Sequence, residues 1–326
     1  MSSGVSRRLD AISDSVTLAI TARAAAMRAQ GEPVIGFGAG EPDFPTPEHI
    51  VDAAQRAAAD PLMHHYSPAR GLPALREAVV MKTKRDSGLE VQPDEVTITH
   101  GAKGALFGAC MALLDDGDEV LLPSPYWVSY PEMVRLAGGV PRVVETSMDR
   151  GFKASVEDLD AACTSRTKAL IFVSPSNPTG AVYGREEVAE IGRWAAERGI
   201  WVLTDEIYEH LVYGRARFSS LPVEAPEVRS QCVVVNGVAK TYAMTGWRVG
   251  WVIAPPEIAA AVGRLQSHST SNVPNVAQMA ALAALDGPMD SSIEMRAVFE
   301  RRLDTMMELL SKVPGARTVR PDGAFY

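Results

Sequence analysis

Apolar positions along the chain fall into two alternating rhythms. Short runs rich in β-branched residues lie at 95–99, 119–123, 142–145, 169–173, 201–204, 232–236 and 249–254. They are nearly continuous in apolar character, as expected of strands buried on both faces of a parallel sheet. Between them lie segments with helical spacing, at 71–87, 102–114, 185–198, 256–267, 274–285 and 292–312. These supply the crossovers that parallel strands need. An amphipathic stretch from Val16 to Met27 predicts a further helix near the start.

Residues 48–285 therefore read as one large α/β domain with a mostly parallel central sheet covered by helices. Residues 1–47, a helix followed by the Gly/Pro-rich loop GFGAGEPDFPTP, form an N-terminal arm and part of a smaller α/β domain. Residues 286–326, a charged helix followed by PDGAFY, begin the rest of it. The smaller domain reads as incomplete.

Composition narrows the function classes. The 326 residues carry a net charge of −8 and a pI near 5.4, which opposes non-specific nucleic-acid binding. The three cysteines have no metal or disulfide spacing, which fits a reducing compartment. No apolar run approaches a membrane span, and no apolar segment follows the N-terminal arginine pair. A cytoplasmic enzyme without nucleic-acid or membrane partners is expected.

Candidate chemistry gathers where apolar runs end, the place where open α/β sheets bind ligands. Asp205 and Tyr208 close the run WVLTDEIY; Asp205 alone could equally cap a following helix. Lys240 follows the strand at 232 in a turn of small residues, as a Schiff-base nucleophile would. A lone lysine there would be an ordinary surface charge, but Arg248 lies just beyond it among small and aromatic residues. That setting suits a fixed fork for phosphate. At Thr99-His100-Gly101-Ala102-Lys103 a strand gives way to a helix start whose free N–H groups favour an anion. Asn177 stands between two prolines in a turn. Tyr126, Trp127 and Tyr130 could stack on a planar ring or simply fill the core. The run Gly36-Phe37-Gly38-Ala39-Gly40 has too many following prolines to be a dinucleotide fingerprint.

Taken together, GAGEPDF, YSPARGLPALREAV, GAKGAL, SPYW, PSNPTG, TDEIY and NGVAKTYAMTGWRVGW resemble the class I aminotransferases of the fold-type-I pyridoxal-phosphate (PLP) superfamily. The bacterial aspartate aminotransferase subgroup is the nearest likeness. The resemblance runs from about Leu18 to the last residue. It implies that Lys240 bears the cofactor and shuttles the proton. Asp205 pairs with the pyridinium nitrogen, and Tyr208 and Asn177 bond the phenolic oxygen. Trp127 stacks on the ring. Arg248 and the N–H groups of Gly101 and Ala102 hold the phosphate, with Tyr66 reaching it across a homodimer interface.

The same resemblance gives the substrate α-carboxylate to the backbone at Gly40. It gives the distal carboxylate to Lys103, an otherwise unfavourable charge at a helix start, with help from Thr17 or Ser15. The implied reaction is ping-pong transamination between aspartate or glutamate and a 2-oxo acid, with prephenate a further acceptor. A β-lyase or racemase on the same scaffold, or a cofactor-binding protein without turnover, are the rivals. Two positions depart from the pattern: Gly237 replaces a frequent phosphate-binding serine, and His100 precedes the phosphate cup. The family also continues beyond PDGAFY, into the part that holds the arginine for the α-carboxylate. A partial sequence is the expectation, beside a truncated product that holds PLP poorly or a variant that lost transamination.

Overall fold

A computed structural model describes residues 4–14, 16–38 and 40–326, without the side chains of 16–18. Among the described residues, seven strands form one sheet: β1 (Val96–His100), β2 (Glu119–Pro123), β3 (Val140–Val144), β4 (Thr167–Val173), β5 (Trp201–Asp205), β6 (Cys232–Gly237) and β7 (Val249–Ile253). Their order across the sheet is β1-β7-β6-β5-β4-β2-β3. All seven apolar runs of the sequence are strands, with ends shifted by up to two residues.

One strand runs against the rest. β7 pairs antiparallel with both β1 and β6, while the remaining pairs are parallel. The cause is the short link between β6 and β7, residues 238–248, which lacks the dozen or more residues of a parallel crossover. That link brings Lys240 and Arg248 to the same edge of the sheet.

Strand residues alternate between two apolar layers, as period-two geometry requires. Leu170, Phe172, Val202, Val234 and Trp251 face one layer, beneath the helix Arg185–Arg198. Ala169, Ile171, Leu203, Val233, Val235 and Val252 face the other, beneath the helix Gly101–Leu113. A third cluster joins Ile207, Tyr208 and Leu211 to Met295 and Phe299 of the helix Asp290–Leu310 and to Ala324.

The helices Glu48–Ala59, Ser129–Leu136 and Val156–Ala162 lie outside the pattern read from sequence. The first buries only Ile50, Ala54 and Ala57, a stripe mostly of alanines that contrasts weakly with its alanine-rich surroundings. No described helix is long and apolar enough to cross a membrane.

A buried polar network stands behind the ends of β5 and β6. Glu209 pairs with Lys82 and accepts from Asn236 Nδ2 at 2.8 Å. Asp86 accepts from His210 Nε2 at 3.0 Å and lies 3.4 Å from the Lys82 ammonium. The carboxylates of Asp86 and Glu209 form, with His210, a cluster of metal-ligand type, but the Lys82 ammonium already supplies their positive charge. Glu206 accepts from Ser220 Oγ at 2.9 Å. Burial pushes its carboxyl up to about 8, helped by the nearby charge of Glu209.

This carboxyl links stability to pH. Its folded pKa is raised, so between about 4.5 and about 8 the folded chain binds the extra proton. The stability it contributes is present below that window and is lost as pH rises through it. Glu206→Gln is expected to remove this slope, checked by urea unfolding of the two chains from pH 4.5 to 8. An unchanged slope would contradict a neutral Glu206.

Candidate active site

The site is built from strand ends along one edge. Gly101 and Ala102 follow β1, Trp127 follows β2, Asn177 follows β4 and Asp205 closes β5. Lys240 follows β6, and Arg248 precedes the oppositely directed β7. The sheet order places β5, β6 and β7 side by side.

Asp205 is 4% exposed. Its Oδ2 accepts from the Tyr130 hydroxyl at 2.9 Å and its Oδ1 from the Ile207 backbone N–H at 3.2 Å. No helix follows Asp205, so it is not a helix cap; Oδ1 instead closes the turn that follows β5. Burial raises its pKa to about 6, against the opposing pull of Tyr130, Ile207 and Lys240.

Lys240 is half-buried. Its ammonium donates to the Gly40 carbonyl and lies 5.8 Å from the Tyr208 ring centre and 5.4 Å from that of Phe325. Desolvation lowers its pKa to about 8, assisted by Arg248 and opposed by Glu41 and Asp205. An amine so placed is a free base for a useful fraction of time near neutral pH.

Glycines and a guanidinium meet closely where β1 ends and β7 begins. Gly101 opens a helix with φ +73°, and a Cβ there would stand 2.6 Å from Arg248 Nη2. A Cβ on Gly250 would collide with the Gly101–Ala102 peptide, so both positions need glycine for the close approach. Arg248 itself takes a left-handed conformation, φ 59° and ψ 46°, a strain that marks functional sites. Its Nη1 donates to the Thr245 carbonyl at 2.8 Å, which fixes the exposed guanidinium. The Lys103 ammonium lies 4.8 Å over the Trp127 ring. Desolvation lowers its pKa, as does Arg248.

Tyr130, one of the strand-exit aromatics of SPYWVSY, is buried and T-stacks on Trp127 at 5.4 Å; its bond to Asp205 and the part played by Tyr326 escaped the sequence reading. The Tyr208 hydroxyl meets the Tyr326 hydroxyl at 2.8 Å. Burial pushes the Tyr208 hydroxyl well up, as does Tyr326, and the neighbouring Asn177 amide acts the other way. The contact with Tyr326 is tertiary and left no trace in the sequence. Trp127 carries the Lys103 ammonium over its ring, Asn177 acts on Tyr208, Gly40 accepts from Lys240, and Tyr66 has 91% of its surface exposed. Ser15 and the Thr17 side chain lie outside the described residues.

Residues 32–326 match the family model for aminotransferase class I and II. The chain belongs to that family. It is 60% identical to the aspartate aminotransferase of Streptomyces avermitilis over 99% of its own length and 79% of that protein. It is 47% identical to the aspartate/prephenate aminotransferase of Thermus thermophilus over 99% of its length and 83% of that protein. Among solved structures, the aspartate aminotransferase from Rhizobium meliloti superposes with a TM-score of 0.94 at 40% identity, covering 98% of this chain and 80% of that one.

The chain is thus a PLP-dependent aminotransferase, acting between amino and oxo acids. Its own geometry fits the cofactor. A glycine-only cradle beside a guanidinium suits a phosphate. A buried carboxylate suits a protonated ring nitrogen, and a desolvated amine stands between the two.

The Lys240 environment is testable without cofactor. Acylation of the apo chain at Lys240 is expected to follow a midpoint near pH 8. Asp205→Asn and Glu41→Gln should each move it lower, because each removes a negative charge that favours the ammonium. A midpoint in the ordinary lysine range, read by mass spectrometry of the labelled peptide, would contradict the desolvated placement.

Proposed function

We propose that the chain moves the amino group of aspartate or glutamate to a 2-oxo acid by a ping-pong route. The observation that carries this reading is the desolvated Lys240 amine set between the Asp205 carboxylate and the Gly101–Arg248 cradle. PLP supplies, when bound, a carbonyl that condenses with amines and a ring that accepts electrons. Lys240 would hold the cofactor through its amine and, once freed by the incoming substrate amine, would serve as the base that moves the substrate Cα proton.

Asp205 would hold the proton on the ring nitrogen, and the Tyr130 hydrogen bond favours its ionised form. Tyr208 and Asn177 would hydrogen-bond the phenolic oxygen, and Trp127 would stack on the ring. Arg248 and the N–H groups of Gly101 and Ala102 would hold the phosphate. Gly40 would offer its backbone to the substrate α-carboxylate, while Thr17 or Ser15 from the arm would assist at the distal carboxylate.

Lys103 selects the substrate. A cation at the crevice wall, over Trp127, suits the second carboxylate of an acidic amino acid. Most of the similar curated proteins are named for aspartate, some also for prephenate, which supports this choice and leaves prephenate as a second acceptor.

The assembly is a homodimer in which Tyr66 completes the partner's phosphate site. An aromatic residue 91% exposed on an ordered loop supports that placement. The chain divides into an arm (1–47), a cofactor domain (48–285) and a segment of a smaller domain (286–326). Its acidic charge and three free thiols fit the cytoplasm.

Lys103→Met is expected to lower kcat/KM for aspartate roughly 10- to 100-fold, the worth of a charge-assisted hydrogen bond. The same change should leave alanine nearly unaffected. Equal losses for both substrates would remove Lys103 from substrate selection. With 2-oxoglutarate the native chain should form one glutamate per aspartate consumed; release of ammonia in its place would contradict transamination.

A further inference from the structure

The loop that presents Tyr66 makes little backbone structure of its own. Among the described residues, two backbone–backbone hydrogen bonds serve the stretch from Tyr66 to Gly71: Gly71 N–H to the Pro68 carbonyl at 2.8 Å, and Ile98 N–H to the Arg70 carbonyl at 3.0 Å. The Arg70 guanidinium donates to Thr97 Oγ1 at 2.9 Å and to the carbonyls of Asp94 and Val96, and three buried side-chain amides hold the stretch from the other side. Asn275 Nδ2 donates to the carbonyls of Met63 at 3.1 Å and His65 at 2.7 Å. Gln278 Oε1 accepts from Leu72 N–H at 2.8 Å while its Nε2 donates to the Val273 carbonyl at 2.7 Å. Gln266 Nε2 donates to the carbonyls of Ala69 and, at 2.9 Å, Ile98.

These amides are 6%, 0% and 7% exposed, respectively. Burying an amide is costly unless it is bonded, so simple helix packing would be better served by leucine or alanine. Asn275 and Gln278 are three residues apart on one helix face, and their functional atoms turn toward the loop. Gln266 also ties the loop to β1, whose last residue, His100, precedes the phosphate cradle. His100 Nδ1 in turn meets Thr270 Oγ1 at 3.2 Å, just beyond the helix that bears Gln266. The same elements therefore grip the Tyr66 loop and this chain's own cradle.

We propose that Asn275, Gln278 and Gln266 are positioning residues for cofactor retention. They fix residues 63–72 so that Tyr66 stands out rigidly toward the phosphate site of a second copy. This rests on the reading of Tyr66 given above. A mobile loop would have to be ordered when Tyr66 engages the phosphate, and that entropy would weaken the grip; the amides remove the cost beforehand.

The test is a double-mutant cycle read as the PLP dissociation constant of the full chain, by absorbance titration, with the melting temperature alongside. Tyr66→Phe alone should weaken PLP binding; if it does not, both the cross-subunit reading and this proposal fall. With Tyr66 present, Asn275→Ala and Gln266→Ala should each raise the dissociation constant roughly tenfold. In the Tyr66→Phe background the same changes should add less than about threefold. If Tyr66→Phe weakens binding but the amide variants leave it unchanged, or weaken it equally in both backgrounds, the amides are purely structural and the proposal is overturned. Asn275→Ser, which loses less volume, carries the same comparison should an alanine variant fail to fold.

Discussion

A carboxylate almost wholly removed from water at the end of a central strand sets the terms for the rest of the molecule. Asp205 is held by the Tyr130 hydroxyl and the Ile207 N–H, yet burial still pushes its pKa up to about 6. Two hydrogen bonds do not fully replace hydration for a buried charge. The group is therefore poised to gain from a cationic partner, and a protonated ring nitrogen is such a partner. Lys240 experiences the converse: burial lowers its pKa, and Asp205 raises it only in part. Burial displaces each of the two groups from its ordinary behaviour, a pattern expected of functional sites.

That arrangement depends on a topological detail. Were β7 parallel to β6, its first residue would stand at the opposite edge of the sheet, and Arg248 with it. The eleven-residue link 238–248 instead turns the chain straight back. It delivers the amine at its third residue and the guanidinium at its last. The reversal also lays Gly250 against the Gly101–Ala102 peptide, with no room for a side chain at Gly250, and sets the Arg248 guanidinium where a Cβ on Gly101 would stand. The cradle and the lysine are thus fixed by backbone geometry, and the buried Lys82–Glu209–Asn236 network braces the strand end from behind.

Much of this was legible in the sequence because strand ends are legible. Continuous β-branched runs announce strands buried on both sides, and the polar residues that interrupt them at Asp205, Asn177 and Lys240 mark one edge of the sheet. Direction is another matter: no local pattern says that β7 is antiparallel, and only the shortness of its link betrays it. The alanine stripe of the helix Glu48–Ala59 and the brief helix Ser129–Leu136, embedded in an aromatic motif, gave too little contrast to be seen. Contacts between distant residues, such as Tyr130 with Asp205 or Tyr326 with Tyr208, arise from packing and have no sequence rhythm. The amides that hold the Tyr66 loop were hidden for the same reason, since a buried glutamine on a helix looks like an exposed one until its partners are known.

The central claim is that these strand ends form a single cofactor site with Lys240 as the point of attachment. An absorbance titration of the purified chain with PLP tests it most directly, run beside Lys240→Ala. A visible band that saturates with PLP, bleaches on addition of aspartate and is missing from Lys240→Ala is the predicted result. The same band at the same intensity in Lys240→Ala, or no band in the unaltered chain, would contradict it.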